Sequence, residues 1–166
     1  MNSCFYPDDN FPDTLAGFAL FRAPASWAGR IAEFDRQNFA RDAWPQSVWE
    51  DELIAENRTY LVLVEEPDPL RSLGSILAVA GVSHYEDAEI LTIGVAQRIQ
   101  RRGIGTKLLQ ILLNIAQSYD AQRVFLEVRS KDIGVQKMYA RAGFQEIDRR
   151  KRYYSDDDAV VMVREM

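Results

Sequence analysis

Hydrophobic residues recur with two different spacings along this chain, and the two spacings separate predicted strands from predicted helices. Short apolar runs bounded by charged or turn-forming residues predict strands, and apolar residues three or four positions apart predict helices. The predicted order is strand 18–22, helix 26–38, helix 47–57, strands 59–65, 73–84 and 88–95, helix 103–119, strand 123–128, helix 133–142, and strands 144–150 and 159–164.

Local signals mark several of the element ends. Ser47 is a suitable N-cap for the second helix, and Glu50 three positions later would complete a capping box. Gly143 is a natural C-terminal cap for the last helix. Residues 39–46 are predicted to be irregular, and the segments 66–69, 85–87 and 155–158 are predicted to be turns.

The segment 90–128 reads as strand, helix and strand, which predicts a right-handed parallel crossover. Leu108, Leu109, Leu112, Leu113 and Ala116 would form the buried face of its helix. The chain is therefore predicted to be an α/β protein with a central mixed sheet and helices on both faces.

Length and composition favour one folded domain over residues 15–166, preceded by a flexible tail over residues 1–14. The 166 residues include no apolar run of the ~20 residues that cross a bilayer, and no secretory signal is recognisable, so a cytoplasmic protein without membrane association is expected. Cys4 is the only cysteine, which excludes an internal disulfide and a cysteine-based metal cage. The net charge of −5 argues against direct binding of nucleic acid.

The hexapeptide QRRGIG at residues 100–105 lies between a predicted strand and a predicted helix. Such a turn directs unpaired backbone N–H groups and the positive end of a helix dipole at one point, which favours a phosphate-bearing ligand. Leu108 occupies the place of the third glycine of a dinucleotide fingerprint, and Thr106 that of the P-loop lysine, so neither of those patterns fits.

A glutamine or arginine followed by x-x-G-x-G at this turn resembles the pyrophosphate loop of the GNAT superfamily of N-acetyltransferases. The resemblance implies acetyl-CoA as co-substrate, no metal, and a mostly antiparallel sheet of six to seven strands with one splayed parallel pair. Backbone groups of the strand before the turn would hold the pantetheine and the acetyl group, and amides of the turn would hold the pyrophosphate. The residues implied are Ile93, Gly94 and Val95 in the strand, and Arg101, Arg102, Gly103, Ile104, Gly105 and Thr106 in the turn.

The second half of the chain resembles one branch of that family, the bacterial ribosomal-protein-alanine N-acetyltransferases of RimI type. The resemblance rests on LEVR at 126–129, Tyr139, AGF at 142–144 and RKRYY at 150–154, with a weaker similarity in AWPQS at 43–47. Asp132 stands where that branch usually has an asparagine that contacts the coenzyme. It is expected to cap the following helix, with a coenzyme contact as the other possibility.

Acetylation of an amine requires one group to take a proton and another to give one. Period-two alternation places Phe125, Glu127 and Arg129 on one strand face, so Glu127 either pairs with a neighbour such as Arg129 or faces a cleft. The family resemblance implies that Glu127 is the general base. It also implies that Tyr139 is the general acid, the other reading being an aromatic ring packed under the last strands.

The resemblance predicts the function as well. Acetyl would pass directly, in a ternary complex, to the α-amino group of the N-terminal alanine of a small-subunit ribosomal protein, and the enzyme would be a monomer or a weak dimer. Tyr153 and Tyr154 either line the acceptor site or belong to a strand core, and the aspartates at 156–158 either attract a basic peptide or form a solvated turn. Two other functions remain open: acetylation of lysine side chains or small amines, and non-catalytic binding of acyl-CoA. His84 is assigned no role.

Overall fold

The computed structural model describes residues 11–65 and 74–166. Four α-helices are present in this part of the chain, α1 Ala28–Phe39, α2 Gln46–Ile54, α3 Ile104–Ser118 and α4 Ile133–Arg141. The strands are β1 Thr14–Leu15, β2 Phe18–Arg22, β3 Arg58–Val64, β4 Ile76–Ser83, β5 Asp87–Val95, β6 Arg123–Arg129, β7 Gln145–Arg150 and β8 Ala159–Glu165.

All eight strands belong to one sheet in the order β1-β2-β3-β4-β5-β6-β8-β7. Every neighbouring pair is antiparallel except β5 and β6, which are parallel and connected through α3. The predicted mixed sheet and parallel crossover are therefore confirmed. The predicted number of six to seven strands was too low by the two-residue strand β1, which is too short to leave a periodic pattern in the sequence.

Helices cover both faces of the sheet, as predicted. The helices α1 and α2 pack on one face in a core that includes Ile31, Phe34 and Trp49. The helix α3 is buried along Leu108, Leu112 and its neighbours on the other face, where Tyr139 of α4 joins the same core. The helices bury both faces of the sheet. A site is therefore expected at an end of the sheet, near α2 and the start of α3, rather than on a face.

The helix α2 begins at Gln46, directly after Pro45, so the prediction of Ser47 as its N-cap was wrong. Pro45 is itself the N-cap residue, with φ −66° and ψ 160°. Its carbonyl accepts the first helical hydrogen bonds, from the N–H groups of Val48 at 3.0 Å and Trp49 at 3.3 Å, and no side chain caps the helix. Glu50 accepts a hydrogen bond from the side chain of Gln46 at 2.9 Å instead of closing a capping box. The segment predicted to be irregular contains a single 3₁₀ turn, Ala40–Asp42.

A buried carboxylate fixes the connection between α1 and α2. Asp35 is 5% exposed, and its Oδ2 accepts hydrogen bonds from the backbone N–H of Trp44 at 2.7 Å and from the indole of Trp49 at 3.2 Å. Burial raises the pKa of Asp35, and the two donors act in the opposite direction. Asp35 of α1 thereby holds both the connection, through Trp44, and the helix α2, through Trp49.

Some predicted features lie outside the described residues, namely residues 1–10 with Cys4, the turn at 66–69, and Leu73. Of the predicted tail, residues 11–14 are described: Phe11 packs against the main core and Thr14 belongs to β1. Among the described residues, none of the helices has the length and apolar content needed to span a bilayer.

Gly81 is required by the packing of β4 against β3. A Cβ at this position would lie 2.3 Å from Cε1 of Tyr60, which is 3% exposed and packs edge-on against Trp49. Gly81→Ala is therefore expected to lower the free energy of unfolding by about 1–3 kcal/mol, as overpacking of a rigid core does. Gly134→Ala is the matched control, because nothing lies within 4 Å of its added Cβ. Urea denaturation of both variants measures the difference, and equal stabilities would contradict the packing assignment.

His84 should make the protein less stable in acid. Its ring stacks on Tyr119 at 3.7 Å and its Nε2 lies 2.6 Å from the Thr59 hydroxyl, while partial burial and the nearby Arg22 charge lower the pKa of His84 to about 4. A histidine with a lowered folded-state pKa loses stability as pH falls from about 6.5, its unfolded value, toward about 4. Unfolding free energies at about pH 7 and about pH 4.5 should therefore differ less in His84→Gln than in the wild type. Equal differences would show that His84 does not carry this pH dependence.

Candidate active site

The turn before α3 exposes a set of unpaired backbone donors. Gly103 precedes the helix in the left-handed region, with φ 76°, and no side chain caps the helix. The first helical hydrogen bond runs from the N–H of Lys107 to the carbonyl of Gly103 at 3.1 Å. Within the described residues, no acceptor takes a hydrogen bond from the amides of residues 101–106. The amides of Arg101, Arg102, Gly103, Ile104, Gly105 and Thr106 are thus available to an anionic ligand.

Two features of the turn keep these amides accessible. Arg101 also has a positive φ of 61°, and a backbone that includes left-handed residues can turn successive N–H groups toward one concave surface. A Cβ at Gly103 would meet nothing within 4 Å, and one at Gly105 would meet only the sulfur of Met138, at 3.5 Å. Space is therefore left beside the helix start, and the donor set fits a pyrophosphate.

The strands β5 and β6 separate next to this turn. They are paired only from Asp87 to Glu89 with Arg123 to Phe125, although both strands continue beyond these residues. The N–H of Ala96 donates to the carbonyl of Leu77 in β4 at 2.8 Å, so alternation directs the N–H groups of Ile93 and Val95 into the gap. The gap is the splayed parallel pair that the resemblance implied, and it carries unpaired backbone groups along one side.

Val95 and Gly94 differ in what they offer to the gap. The carbonyl of Val95 accepts a hydrogen bond from Nε2 of Gln100 at 3.0 Å, which leaves its N–H as the free group. Gly94 has its backbone groups on the β4 side, and a Cβ there would lie 2.7 Å from the Phe39 ring. Gly94 therefore admits the aromatic side chains of α1 rather than presenting its N–H to a ligand, and the register shift of this strand pair lies elsewhere, between Gly81 and Val82.

Glu127 lies on β6 beside the gap, with its side chain 14% exposed. The residues Val124, Leu126 and Val128 are buried, so the predicted alternation that places Glu127 on the opposite face is confirmed. Its partner differs from the suggested Arg129, because Nη1 of Arg150 lies 2.9 Å from Oε1 of Glu127. The carboxylate is therefore held at the edge of the gap by a cation from the neighbouring β7–β8 hairpin.

Glu89 is a second carboxylate at the gap, and the sequence reasoning missed it. Glu89 pairs with Phe125 at the last position before the strands separate, and by register it points to the same face as Glu127. Desolvation by the surrounding protein raises the pKa of Glu89, and the nearby Glu127 charge adds to this effect. The signal was present in the sequence, since Glu89 interrupts an apolar strand in the same way as Glu127.

Tyr139 lies on the opposite side of the sheet from Glu127. It is 7% exposed, packs edge-on against Phe144 at 5.8 Å between ring centroids, and belongs to the core formed with α3. Burial raises the pKa of Tyr139 well above its ordinary range, with smaller contributions from Tyr154 and Asp132. The ring is thus packed in the core, which agrees with the alternative that it is an aromatic ring packed under the last strands. No hydrogen bond to its hydroxyl is formed within the described residues, which leaves the group free to donate.

Asp132 is the N-cap of α4. Its Oδ1 accepts a hydrogen bond from the backbone N–H of Val135 at 3.2 Å, which confirms the expected capping role. The negative charge also lies at the positive end of the α4 dipole. An asparagine would fill the same cap, so the local fold is compatible with either residue.

Arg129 joins the two connections that flank the gap on the Glu127 side. Its guanidinium pairs with Asp42, between α1 and α2, and with Asp156, between β7 and β8, the latter at 2.6 Å. It also lies over the ring of Tyr154, 4.6 Å from the centroid. The pKa of Asp156 is lowered because it accepts a hydrogen bond from this guanidinium.

The neighbouring aspartates have structural roles rather than the two suggested from the sequence. Asp157 is 8% exposed and accepts hydrogen bonds from the hydroxyl of Ser130 at 2.5 Å and from the N–H of Lys131 at 3.0 Å. Asp158 accepts from the N–H of Arg152 at 2.8 Å. These bonds fold the β7–β8 connection onto the end of β6, so this side of the gap has a fixed shape.

Tyr153 and Tyr154 follow β7 and do not form a strand core. Their rings meet edge-on at 5.1 Å, and Tyr153 is 51% exposed. The pKa of Tyr153 is raised to about 12, chiefly because its hydroxyl interacts with the Glu127 carboxylate in a way that favours the protonated phenol. Both rings therefore border the same space as Glu127.

Known proteins resemble this chain in sequence and in fold. The sequence model of the Acetyltransferase (GNAT) family matches residues 27–144. N-alpha-acetyltransferase RimI from Mycobacterium tuberculosis is 35% identical over 165 residues, which cover 95% of this chain and 95% of that protein. Among solved structures, the ribosomal-protein-S18-alanine N-acetyltransferase from Escherichia coli superimposes with a TM-score of 0.77 at 21% identity, covering 89% of this chain and 93% of that one.

A GNAT family acetyltransferase from Elizabethkingia anophelis with acetyl-CoA bound superimposes with a TM-score of 0.68 at 15% identity, covering 92% of this chain and 100% of that one. The splayed strands, the uncapped helix start and the matched sequence family agree with one another. The chain belongs to the GNAT family of N-acetyltransferases, among relatives of the RimI type.

Proposed function

We propose that this protein transfers acetyl from acetyl-CoA to the α-amino group of the N-terminal alanine of a small-subunit ribosomal protein. One observation carries the chemistry: a carboxylate, Glu127, lies beside the gap between β5 and β6, and a phenol, Tyr139, is buried on the opposite face of the sheet. The names of the M. tuberculosis and E. coli relatives support an N-terminal acceptor and, for the latter, a ribosomal alanine.

The donor would be held by the backbone of the gap and of the turn. The amides of residues 101–106 would bind the pyrophosphate, since they are free and lie at a helix N-terminus. The N–H groups of Ile93 and Val95 would bind the pantetheine and acetyl portion, with Gly94 and Asp132 supporting this arrangement indirectly. Acetyl-CoA supplies a thioester, and an N–H directed at its carbonyl oxygen would stabilise negative charge there.

Glu127 would act as the general base. An α-amine with a pKa of about 7.7–8.0 is largely protonated at neutral pH and must lose a proton before it can attack. Glu127 is shielded from most solvent and remains at the edge of the gap, where an amine can reach it directly or through one water. Glu89 adds a second negative charge on the same face, which favours the approach of a cationic amine.

Tyr139 would act as the general acid for the departing thiolate. Its raised pKa keeps the phenol protonated at neutral pH, which is the form that donates a proton. A thiolate whose conjugate acid has a pKa of about 8.5 needs such a donor to leave efficiently near neutral pH. The amine would attack the thioester carbonyl itself, Glu127 would take the amine proton and Tyr139 would give a proton to the departing thiolate, so acetyl can pass directly to the amine without an acyl-enzyme.

The acceptor would approach on the Glu127 face, between the α1–α2 and β7–β8 connections. Arg129 holds these two segments together through Asp42 and Asp156, and the rings of Tyr153 and Tyr154 line the space that they enclose. We further propose that the enzyme works in the cytoplasm as a monomer or weak dimer and reaches its acceptor without binding nucleic acid directly, in keeping with a net charge of −5.

Removing either proton carrier should slow turnover without weakening donor binding. Glu127→Gln and Tyr139→Phe are each expected to lower kcat by roughly 100-fold to 10,000-fold, the usual contribution of a general base or acid. The Kd for acetyl-CoA, measured by calorimetry, should stay nearly unchanged, because backbone amides provide the donor contacts. Glu146→Gln, which alters an exposed surface carboxylate, is the control and should keep wild-type kinetics. Near-normal turnover in both catalytic variants would refute the assigned roles.

An acceptor panel separates the proposed function from its rivals. The panel comprises a peptide with a free N-terminal alanine, the same peptide with that amine blocked, and a blocked peptide containing lysine. CoA release is expected with the first peptide alone, and intact-mass measurement should find one added acetyl group. Acetylation of the blocked lysine peptide would indicate a side-chain acetyltransferase. Binding of acetyl-CoA without CoA release from any amine would indicate a non-catalytic module.

A further inference from the structure

Arg150 is a charged side chain at the gap to which the proposed chemistry gives no role. It ends β7, the edge strand of the sheet, and its guanidinium reaches the carboxylate of Glu127 at 2.9 Å. The Arg150 side chain is 57% exposed, whereas Glu127 is 14% exposed. An exposed guanidinium therefore pairs with a largely shielded carboxylate.

Two carboxylates, Glu127 and Glu89, lie near the guanidinium of Arg150. Glu127 and Glu89 bring two carboxylates to the same face, and the charge of each influences this cluster together with Arg150. The hydroxyl of Tyr153 also interacts with the Glu127 carboxylate. Arg58 also acts on Glu89, but Arg58 is paired with Glu52. Arg150 is therefore the cation that faces Glu127, with polar groups on several sides, as in a binding site for an ammonium group.

We propose that the guanidinium of Arg150 occupies the subsite of the acceptor's α-ammonium group, and that an acceptor binds by displacing it from Glu127. This inference rests on the proposed function, since it takes Glu127 as the group that receives the amine. It assigns Arg150 as a specificity-determining residue: an acceptor must bring a cation of its own to compete for the carboxylate. The acceptor class is a peptide with a free, protonated primary amine.

The exchange is physically easy. Ion pairs with an exposed partner contribute little, because the exposed guanidinium is solvated whether or not it is paired and its long side chain loses freedom in forming the pair. Arg150 also has an alternative position within reach, since its guanidinium carbon already lies 5.8 Å from the centroid of the exposed Tyr153 ring. Displacement thus costs little, and an uncharged amide or acetylated terminus gains nothing by entering.

Arg149 provides a matched control on the same strand. It has nearly the same exposure as Arg150, 56% against 57%, but pairs with Glu146 of its own strand at 2.7 Å. Arg149→Met and Arg150→Met remove the same charge and the same functional group from adjacent positions. Any effect of net charge or of long-range attraction appears in both variants, and only competition at Glu127 is specific to Arg150→Met.

The test measures peptide binding apart from catalysis. A peptide with a free N-terminal alanine is titrated by calorimetry into the CoA complex of each protein, where no acetyl group is available for transfer. Arg150→Met is expected to lower the Kd of this peptide about two- to fivefold, equivalent to about 0.4–1 kcal/mol, the range of exposed ion pairs. Arg149→Met should leave the Kd unchanged. The acetylated peptide should gain no affinity in either variant.

Further variants make the outcome specific. In a Glu127→Gln background, Arg150→Met should no longer improve peptide binding, because the carboxylate for which the two cations compete is gone. Arg150→Lys keeps a cation and should remain close to the wild type. An unchanged or increased Kd in Arg150→Met would overturn this inference alone, provided that the wild type acetylates the free-amine peptide. If the wild type neither binds nor acetylates that peptide, the proposed function fails together with it.

Discussion

The site depends on the early separation of the parallel strands β5 and β6. Backbone N–H and C=O groups in the middle of a sheet are normally paired, and an unpaired group shielded from water is costly. After Glu89 and Phe125 the two strands lose this pairing, so the edge of β5 must find other partners. Gln100 supplies one of them by donating to the carbonyl of Val95. The remaining N–H groups make the interior of the sheet a binding surface.

Everything else in the site is arranged around that gap. The start of α3 adds free amides and a helix dipole at one end, which suits the anionic part of the donor. Glu89 and Glu127 place negative charge on one face, and Tyr139 places a buried phenol on the other. The two groups to which we assign proton transfer thus lie on opposite faces of the sheet.

The acceptor side is stabilised by ionic contacts between segments far apart in sequence. Arg129 contacts Asp42 and Asp156, and the latter bond spans 27 residues. Asp35 fixes the other end of the α1–α2 connection through Trp44 and Trp49. Through these contacts the acidic turn at 156–158 and the tryptophan-proline segment at 43–47 support the surroundings of Glu127 without lying at the gap themselves. The same contacts fix the positions of the α1–α2 and β7–β8 connections relative to β6.

The sequence by itself determined seven of the eight strands, the four helices, the parallel crossover and the glycine turn before α3, because each depends on residues close together in the chain. Periodicity shows which face of a strand is buried, and glycine spacing shows where the backbone is open. The sequence could not determine the partner of Glu127 or the roles of the three aspartates, and it led to the wrong N-cap at Ser47. Those outcomes depend on distances between β6, β7 and the α1–α2 connection, which only the folded sheet brings together. Glu89 was missed for the same reason: only the pairing of β5 with β6 shows that its carboxylate lies on the same face as Glu127.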